Sequence, residues 1–159
     1  MEHLEIERKF LVISDDFKMM AKKKHDMVQG FLNTHPERTV RIRIMGGKGY
    51  LTVKGIGNVT GTTRFEWETE IPVNEATNLI DLCEPTILQK TRYKVPFEGH
   101  IFEVDEFQGE NKGLVIAEIE LQHEDEPFEK PYWLGAEVTG NTEYYNSQLS
   151  SKPYNQWKK

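Results

Sequence analysis

The chain has 159 residues, 37% of them hydrophobic, and a formal net charge of −6 at pH 7. This length suits one domain with a single core or barrel, and the acidic balance argues against a general nucleic-acid-binding surface. No apolar stretch approaches the ~20 residues of a membrane span. The acidic N-terminus is unlike a signal peptide, and the lone Cys83 cannot form an internal disulfide. We therefore expect one cytoplasmic domain over residues 1–159, with no membrane or nucleic-acid partner and a flexible tail after about residue 150.

Charged and apolar residues alternate from Leu4 to Leu11, and in a strand this alternation places Glu5, Glu7 and Lys9 on one face. Six later segments repeat the pattern, at residues 39–44, 50–54, 64–71, 90–95, 101–105 and 117–121. Their charged faces carry, in chain order, Arg41 and Arg43; Lys54; Glu66, Glu68 and Glu70; Lys90, Arg92 and Lys94; Glu103 and Asp105; and Glu118 and Glu120. The sequence therefore predicts seven strands of one design.

Most of these faces carry charges of a single sign, which decides between two arrangements of the strands. On an open sheet, the charged faces would look at water and the apolar faces would pack on a core. Like charges side by side repel unless something of opposite sign lies among them. Metal cations between the carboxylates, and a polyanion among the arginines and lysines, would supply the opposite charge. We therefore predict an α+β fold: a closed antiparallel barrel with a charged interior and with helices packed on its apolar outside.

Helices and turns are predicted in the gaps between these strands. Ser14 and Asn74 are of the residue types that cap helix N-termini, and clusters of glycine mark turns. The predicted elements are, in chain order, a helix over residues 15–25 after Ser14, a tight turn over 46–49, a mobile loop over 55–61, a helix over 75–83 after Asn74 that buries the Cys83 thiol, a short helix around 132–133, and a last helix over 143–149.

In this order, the motifs resemble those of the CYTH superfamily, also called the triphosphate tunnel metalloenzymes. The hallmark Glu-x-Glu-x-Lys stands here as Glu5-Ile6-Glu7-Arg8-Lys9, and the resemblance runs nearly from end to end. The later matching motifs are Gln29-Gly30-Phe31-Leu32, Arg41-x-Arg43, Lys54, Arg64-Phe65-Glu66-Trp67-Glu68, Lys90-Thr91-Arg92-Tyr93, Asp105, Glu118-x-Glu120, the segment from Trp133 to Gly140, and Tyr144-Tyr145-Asn146. The tail is similar to that of short bacterial members, and the resemblance implies a tunnel-shaped barrel of eight strands.

Two sets of charged residues would carry the chemistry. Cations from several strands could hold a triphosphate, since arginine grips two phosphate oxygens and lysine supplies a point charge. Carboxylates would instead hold hard cations such as Mg²⁺ or Mn²⁺, which bridge to phosphate. The phosphate-binding candidates are Lys9, Arg41, Arg43, Lys54, Lys90 and Arg92. By the resemblance, the metal ligands would be Glu5, Glu7, Asp105, Glu118 and Glu120. Glu66 and Glu68 would hold a second metal ion or orient the attacking water, and Lys90 would be the third catalytic residue.

The resemblance implies a metal-dependent hydrolase that cleaves triphosphates by direct water attack, first of all inorganic tripolyphosphate to diphosphate and phosphate. No Ser-His-Asp or Cys-His arrangement in the sequence points to a covalent intermediate. Two alternatives stay open: an adenylate cyclase acting on ATP, and a non-catalytic barrel that binds polyphosphate or a nucleotide. An interior made of ion pairs alone would be costly, because desolvating so many charges exceeds what pairing returns. We expect a small-molecule polyphosphate or nucleoside triphosphate as the partner, and a monomer or homodimer.

Overall fold

Strand pairing closes most of the chain into one barrel. The computed structural model describes residues 3–157, in which nine strands form a single antiparallel sheet. The strands are β1 (Leu4–Val12), β2 (Lys23–Asn33), β3 (Arg38–Met45), β4 (Lys48–Gly57), β5 (Thr63–Ile71), β6 (Leu88–Phe97), β7 (His100–Phe107), β8 (Val115–Glu120) and β9 (Leu134–Glu137). The helices in the same range are α1 (Phe17–Met20), α2 (Val73–Ile80) and α3 (Asn146–Ser151), with 3-10 turns at Gly109–Asn111, Thr142–Tyr144 and Tyr154–Gln156.

Strand β1 closes the barrel because it finds partners on both of its edges. In the sheet order β5-β4-β3-β2-β6-β7-β8-β1, the last strand also pairs with β5, which completes a ring of eight strands. Residues 4–6 of β1 pair with β5, residues 7–11 pair with β8, and β9 pairs with the end of β1 at Phe10 and Val12. The predicted closed eight-stranded antiparallel barrel is therefore confirmed, with β9 as an additional strand.

The apolar face of the sheet lies outside the barrel, as the alternation predicts. Phe17 of α1 and Trp133, which precedes β9, are fully buried against the outer face, where they make edge-on ring contacts with Tyr93 and Phe102. The main core comprises Phe10, Phe17, Tyr93, Val95, Phe102, Val104, Ala117, Ile119, Leu121 and Trp133. Because successive side chains alternate across a strand, burying these residues outside turns the charged residues inward.

A second apolar cluster closes one end of the barrel interior. On the strands that form this end, the inward face changes from polar to apolar within two residues, for example from Lys90 to Leu88 on β6. Leu149 of α3 joins the cluster, and Tyr154 and Trp157 pack against it. The cluster comprises Phe31, Leu88, Phe107, Leu114, Ile116 and Leu149. The C-terminal segment thus forms the floor of the interior.

The helix predicted over residues 15–25 is wrong beyond its first turn. Only Phe17–Met20 are helical, and Lys23 to Gln29 instead pair in register with β6. Pairing with β6 supplies the backbone hydrogen bonds that a helix would otherwise supply to Lys23 and the residues after it, so the tertiary context overrides the local preference. Ser14 does not cap the short helix, although its Oγ accepts a hydrogen bond from the Asp16 amide at 3.1 Å.

The other predicted elements differ from the structure by smaller amounts. Helix α2 follows Pro72 and ends three residues before Cys83, so Asn74 lies in its first turn instead of capping it. Tyr132 and Trp133 form a turn where a short helix was predicted. The last predicted helix is divided into the 3-10 turn at Thr142–Tyr144 and α3. The tight turn over residues 46–49 is confirmed, and β4 extends to Gly57, which shortens the predicted loop.

Two further expectations concern a flexible C-terminal tail and the absence of a membrane span. Lys158 and Lys159 lie outside the described residues, and the flexibility of the tail stays a prediction. The longest helix in the described part of the chain, α2, has eight residues, and none there has the length and hydrophobicity to cross a membrane.

Candidate functional site

The barrel encloses a cavity of about 170 Å³ with an almost wholly charged or polar lining. Every predicted phosphate-binding cation lines it, and so do Glu66 and Glu68. Of the predicted metal ligands, Asp105 alone does not line it. The lining also includes residues for which no role was predicted: Arg64, Glu103, Asn146 and Ser147.

Arg41 and Arg43 leave hydrogen-bond donors unused on the cavity wall. Arg41 Nη2 donates to Thr52 Oγ1 at 3.1 Å and to Glu68 Oε2 at 3.3 Å, but its buried Nε has no partner among the described residues. Arg43 Nε donates to Gln29 Oε1 at 3.2 Å, and no carboxylate in the described chain forms an ion pair with this guanidinium. Burial, reinforced by the neighbouring guanidinium groups, lowers the pKa of Arg43 to about 9. Buried donors of this kind require an acceptor, and an anion would provide it.

Lys90 and Arg92, both on β6, share the Asp105 carboxylate of β7. Arg92 grips both oxygens, from Nε at 2.8 Å and from Nη2 at 2.9 Å, and Lys90 Nζ lies 2.7 Å from Oδ2. Burial alone would raise the pKa of Asp105, but Arg92 and Lys90 outweigh it and hold this pKa well below its usual range. Burial also lowers the pKa of Lys90 to about 7, with Arg92 adding to the effect and Asp105 opposing it. Asp105 therefore holds two cations in fixed positions on the wall.

Two more lysines connect the cationic side of the cavity with its acidic side. Lys54 Nζ lies 3.2 Å from Glu5 Oε1 and 3.1 Å from Glu66 Oε2, while Lys9 Nζ lies 3.3 Å from Glu118 Oε2. Burial would raise the pKa of Glu5, but Lys54 outweighs it and lowers this pKa to about 2. The pKa of Glu66 is raised, by burial and by the adjacent Glu5. The two carboxylates that share one lysine thus differ in basicity.

Carboxylates face one another across β1, β8 and β7. Glu7 lies opposite Glu120, and Glu118 lies opposite Glu103. Like charges directly opposite each other destabilise a sheet unless a cation lies among them. The Glu7 carboxylate has no hydrogen bond or ion pair with any described residue, and burial together with Glu118 and Glu5 raises its pKa to about 8. A proton or a metal ion must therefore neutralise this carboxylate.

The acidic wall offers suitable ligands for a hard divalent cation, because Mg²⁺ and Mn²⁺ prefer carboxylate oxygens. Within residues 3–157, no three acidic, histidine or cysteine side chains converge into a ready-made metal cluster. Asp105 is turned towards Arg92 and Lys90, whereas Glu7 has no partner to give up. The donor set consequently fits a metal ion, with Glu7 as its most available member. The predicted metal ligands that line the cavity are Glu5, Glu7, Glu118 and Glu120.

Gln29 and Asn146 belong to the site, although no role was predicted for either. Asn146 begins α3, and its Oδ1 accepts hydrogen bonds from Gln29 Nε2 at 2.7 Å and from Lys90 Nζ at 2.8 Å. Gln29 is fully buried and connects this amide to Arg43. Alternation would have placed Gln29 inside the barrel had β2 been recognised as a strand. Asn146 begins a short helix outside the strands, so the alternation of the strands gives no inward direction for it.

Unused guanidinium donors and an acid without an ion pair among the described residues line one closed, antiparallel barrel with a charged interior. The chain belongs to the CYTH domain family, whose model matches residues 3–153. This match confirms the family that the motifs indicated.

Two curated relatives and one solved structure extend the comparison along nearly the whole chain. An inorganic triphosphatase of Acetivibrio thermocellus is 50% identical over 155 residues, which cover 97% of this chain and 97% of the relative. An inorganic triphosphatase of Nitrosomonas europaea is 36% identical over 152 residues, covering 92% of this chain and 96% of the relative. A crystal structure of an inorganic triphosphatase matches with a TM-score of 0.65 at 31% identity, over 92% of this chain and 93% of that one. The fold predicted from the sequence is thus shared with this solved structure.

Proposed function

We propose that this chain is a metal-dependent triphosphatase that hydrolyses inorganic tripolyphosphate to diphosphate and phosphate by direct attack of water. The observation that carries the proposal is a single cavity in which unused arginine donors on β3 coexist with Glu7 on β1, a carboxyl group without an ion pair among the described residues. A triphosphate bound together with a metal ion satisfies both, since the phosphates accept the donors and the metal ion neutralises the acid. The activity named for both curated relatives supports the same conclusion.

Substrate binding would draw on cations from four strands, so that a chain of three phosphates is surrounded and not held at one end. Arg41 and Arg43 present planar forks that fit two phosphate oxygens each. The ion pairs Arg41–Glu68 and Lys9–Glu118 are both 3.3 Å long, longer than tight charge-assisted bonds, and are therefore suited to exchange for phosphate. The full phosphate-binding set of the proposal is Lys9, Arg41, Arg43, Lys54, Lys90 and Arg92.

We propose Mg²⁺ or Mn²⁺ as the cofactor, with Glu5, Glu7, Glu118 and Glu120 as its ligands. Asp105 would have to release Lys90 or Arg92 in order to join them. When bound, the metal ion neutralises charge on the phosphate oxygens and polarises the phosphoryl group that is transferred. Since ligation requires an ionised carboxylate, Glu7 would lose the proton that its raised pKa retains near neutral pH.

Glu66 and Glu68 are proposed to prepare the attacking water. Glu68 accepts a hydrogen bond from Thr52 Oγ1 at 2.6 Å, which fixes its carboxylate beside Arg41. Burial and Glu5 raise the pKa of Glu66, which suits this carboxylate to accept a proton. We therefore assign the proton from water to Glu66 and the alignment of Arg41 to Glu68, while Lys90 would offset charge on the leaving phosphate. Joint ligation of a second metal ion is the other role open to this pair of acids.

The alternative functions have less support. An adenylate cyclase must orient a ribose hydroxyl towards the α-phosphate, and the names of the two curated relatives favour hydrolysis. A purely structural interior would pair its charges, yet Glu7 and Arg43 have no ion-pair partner in the described chain. A cytoplasmic location, a monomeric or homodimeric state and the absence of nucleic-acid partners stay predictions from the sequence.

The decisive experiment measures phosphate release from tripolyphosphate, ATP and thiamine triphosphate, each with Mg²⁺, with Mn²⁺ and with chelator. We expect metal-dependent turnover that is fastest with tripolyphosphate. Glu118→Gln keeps the shape of a proposed ligand but removes its charge, so the metal concentration for half-maximal rate should rise; an unchanged requirement would contradict the metal assignment. Formation of cyclic AMP from ATP without phosphate release would indicate an adenylate cyclase. If no substrate gave a product, the non-catalytic binding barrel would be the remaining hypothesis.

A further inference from the structure

Arg64 lines the cavity but forms no ion pair. It precedes Glu66 by two residues on β5 and therefore shares the inward face of that strand. Its partner in register on β1 is Glu5, and Arg64 helps to lower the pKa of that carboxyl. Even so, no acidic side chain in the described chain forms an ion pair with the Arg64 guanidinium. Its N–H donors also form no hydrogen bond with any described residue, so they are available to a ligand.

A tyrosine ring takes the place of a carboxylate beside Arg64. Arg64 Cζ lies 5.4 Å from the centre of the Tyr145 ring, and Lys9 Nζ lies 4.8 Å from the same centre. Contact with a ring face attracts a cation without using its N–H donors. The Tyr145 hydroxyl lies beside the close contact between Gly61 and Gly140. A Cβ added to Gly61 would lie 3.2 Å from the hydroxyl oxygen. The ring thus fixes two cations while leaving them able to bind an anion.

Arg64 also lines a second cavity, of about 320 Å³, which adjoins the first. Thr39 and Ser147 line both cavities as well. Among the described residues that line the second cavity, Arg64 alone is charged, and Ile56 and Val59 contribute apolar surface. Arg64 therefore lies at the junction between the first cavity, which is charged, and the second cavity, an almost uncharged groove.

We propose that Arg64, positioned by Tyr145, binds the outer phosphate of tripolyphosphate at this junction and so favours inorganic triphosphate over esterified triphosphates. The inference rests on the proposed triphosphatase function. A terminal phosphate carries up to about two negative charges and three free oxygens at neutral pH. In a nucleoside triphosphate, one oxygen of the α-phosphate is esterified, so that phosphate has less charge for the guanidinium fork and its organic group would enter the groove. A planar guanidinium therefore gains more from the inorganic substrate.

The test compares kcat and KM for tripolyphosphate and for ATP in the full-length wild type and in variants. For Arg64→Gln we expect kcat/KM for tripolyphosphate to fall about tenfold further than kcat/KM for ATP, mainly through KM. Arg64→Lys keeps a point charge, so its kcat/KM for tripolyphosphate should fall less than that of Arg64→Gln. Tyr145→Leu should move the ratio of the two substrates in the same direction, whereas Tyr145→Phe, which keeps the ring, should not. Arg38→Gln is the matched control, because exposed Arg38 loses the same charge but does not line either cavity.

Equal losses on the two substrates, or no loss, would overturn the assignment of Arg64. Circular dichroism of each variant separates a folding defect from a binding defect, and Arg64→Lys retains the test if Arg64→Gln does not fold. Failure of the wild type to hydrolyse any triphosphate would count against the proposed function alone. In that case, calorimetric titration of wild type and Arg64→Gln with tripolyphosphate and with ATP measures the same preference, and an unchanged ratio of Kd values would refute the role of Arg64.

Discussion

Removing the Asn146 amide should loosen both the C-terminal segment and the cationic wall of the barrel. In Asn146→Ala, Lys90 keeps Asp105 but loses its second partner, and Gln29 Nε2 loses its acceptor. A hydrogen bond to a charged group contributes about 1.5–3 kcal/mol and a neutral one about 0.5–1.5 kcal/mol. Because the cavity is polar and admits water, solvent would replace part of both bonds, and we expect a net destabilisation of about 2 kcal/mol. For a chain of this length, such a loss corresponds to a fall in Tm of roughly 4–8 °C.

Urea and thermal unfolding in chelator, followed by circular dichroism, measure this effect. Ser151→Ala is the control, since it removes a hydroxyl from the exposed end of the same helix. Asn146→Asp keeps an acceptor for Lys90, so it should restore much of the stability while raising KM for tripolyphosphate, because the added carboxylate competes with phosphate for Lys90. If Asn146→Ala were as stable as Ser151→Ala, the hydrogen bonds of Asn146 would not be holding the wall.

Three further predictions concern charge and backbone. The pKa of Glu7 is about 8 in the fold, above its unfolded value, so its ionisation destabilises the protein increasingly as pH rises from about 4.5 to about 8. In metal-free unfolding, the free energy of unfolding of Glu7→Gln relative to the wild type should therefore rise by on the order of 2 kcal/mol between pH 5 and pH 8.5. The upper limit is about 1.4 kcal/mol for each pH unit, and the expected rise is smaller because this side chain is partly solvated. A difference that stays constant with pH would refute the raised pKa of Glu7. Arg41→Ala should raise KM for tripolyphosphate about 10–100-fold, and unchanged steady-state kinetics would remove this residue from the site. Gly61→Ala should cost more than the ~1–2 kcal/mol expected for a positive φ alone, because its Cβ would collide with Gly140. Gly109→Ala, which has a positive φ but open space, measures that strain by itself in urea unfolding, and equal losses would contradict the collision.

Alternation of charged and apolar residues predicted most of the barrel because a period of two is a strong local signal in a half-buried strand. It failed for β2, where the polar run from Lys22 to Asp26 breaks the pattern at the start of the strand. Lys23 to Asp26 are strand because β6 offers them a pairing partner, not because of their own preference. The nearest local signal, Ser14 followed by acidic residues, correctly marks a helix start but does not determine how far the helix runs.

The charged lining was predictable for the same reason, but its pairing was not. That Arg92 meets Asp105 depends on the register between β6 and β7, which the turn at Glu98 and Gly99 sets through two residues with positive φ. That Glu7 is left without a partner depends on which acid lies opposite it on β8. Asn146 reaches Lys90 across 56 positions of sequence, which no local pattern encodes.

The position of β1 in the barrel has a consequence for how the protein is made. The strand with Glu5, Glu7 and Lys9 leaves the ribosome before its partners β5, β8 and β9, the last of which ends only at Glu137. Until the later partners emerge, a nascent chain holds these residues on a strand with an open edge, which is prone to pairing with other chains. Closure joins opposite ends of the sequence, so it should be a slow and late step of folding. A chain cut short before β8 would therefore lack a closed tunnel altogether, not retain a weakened one.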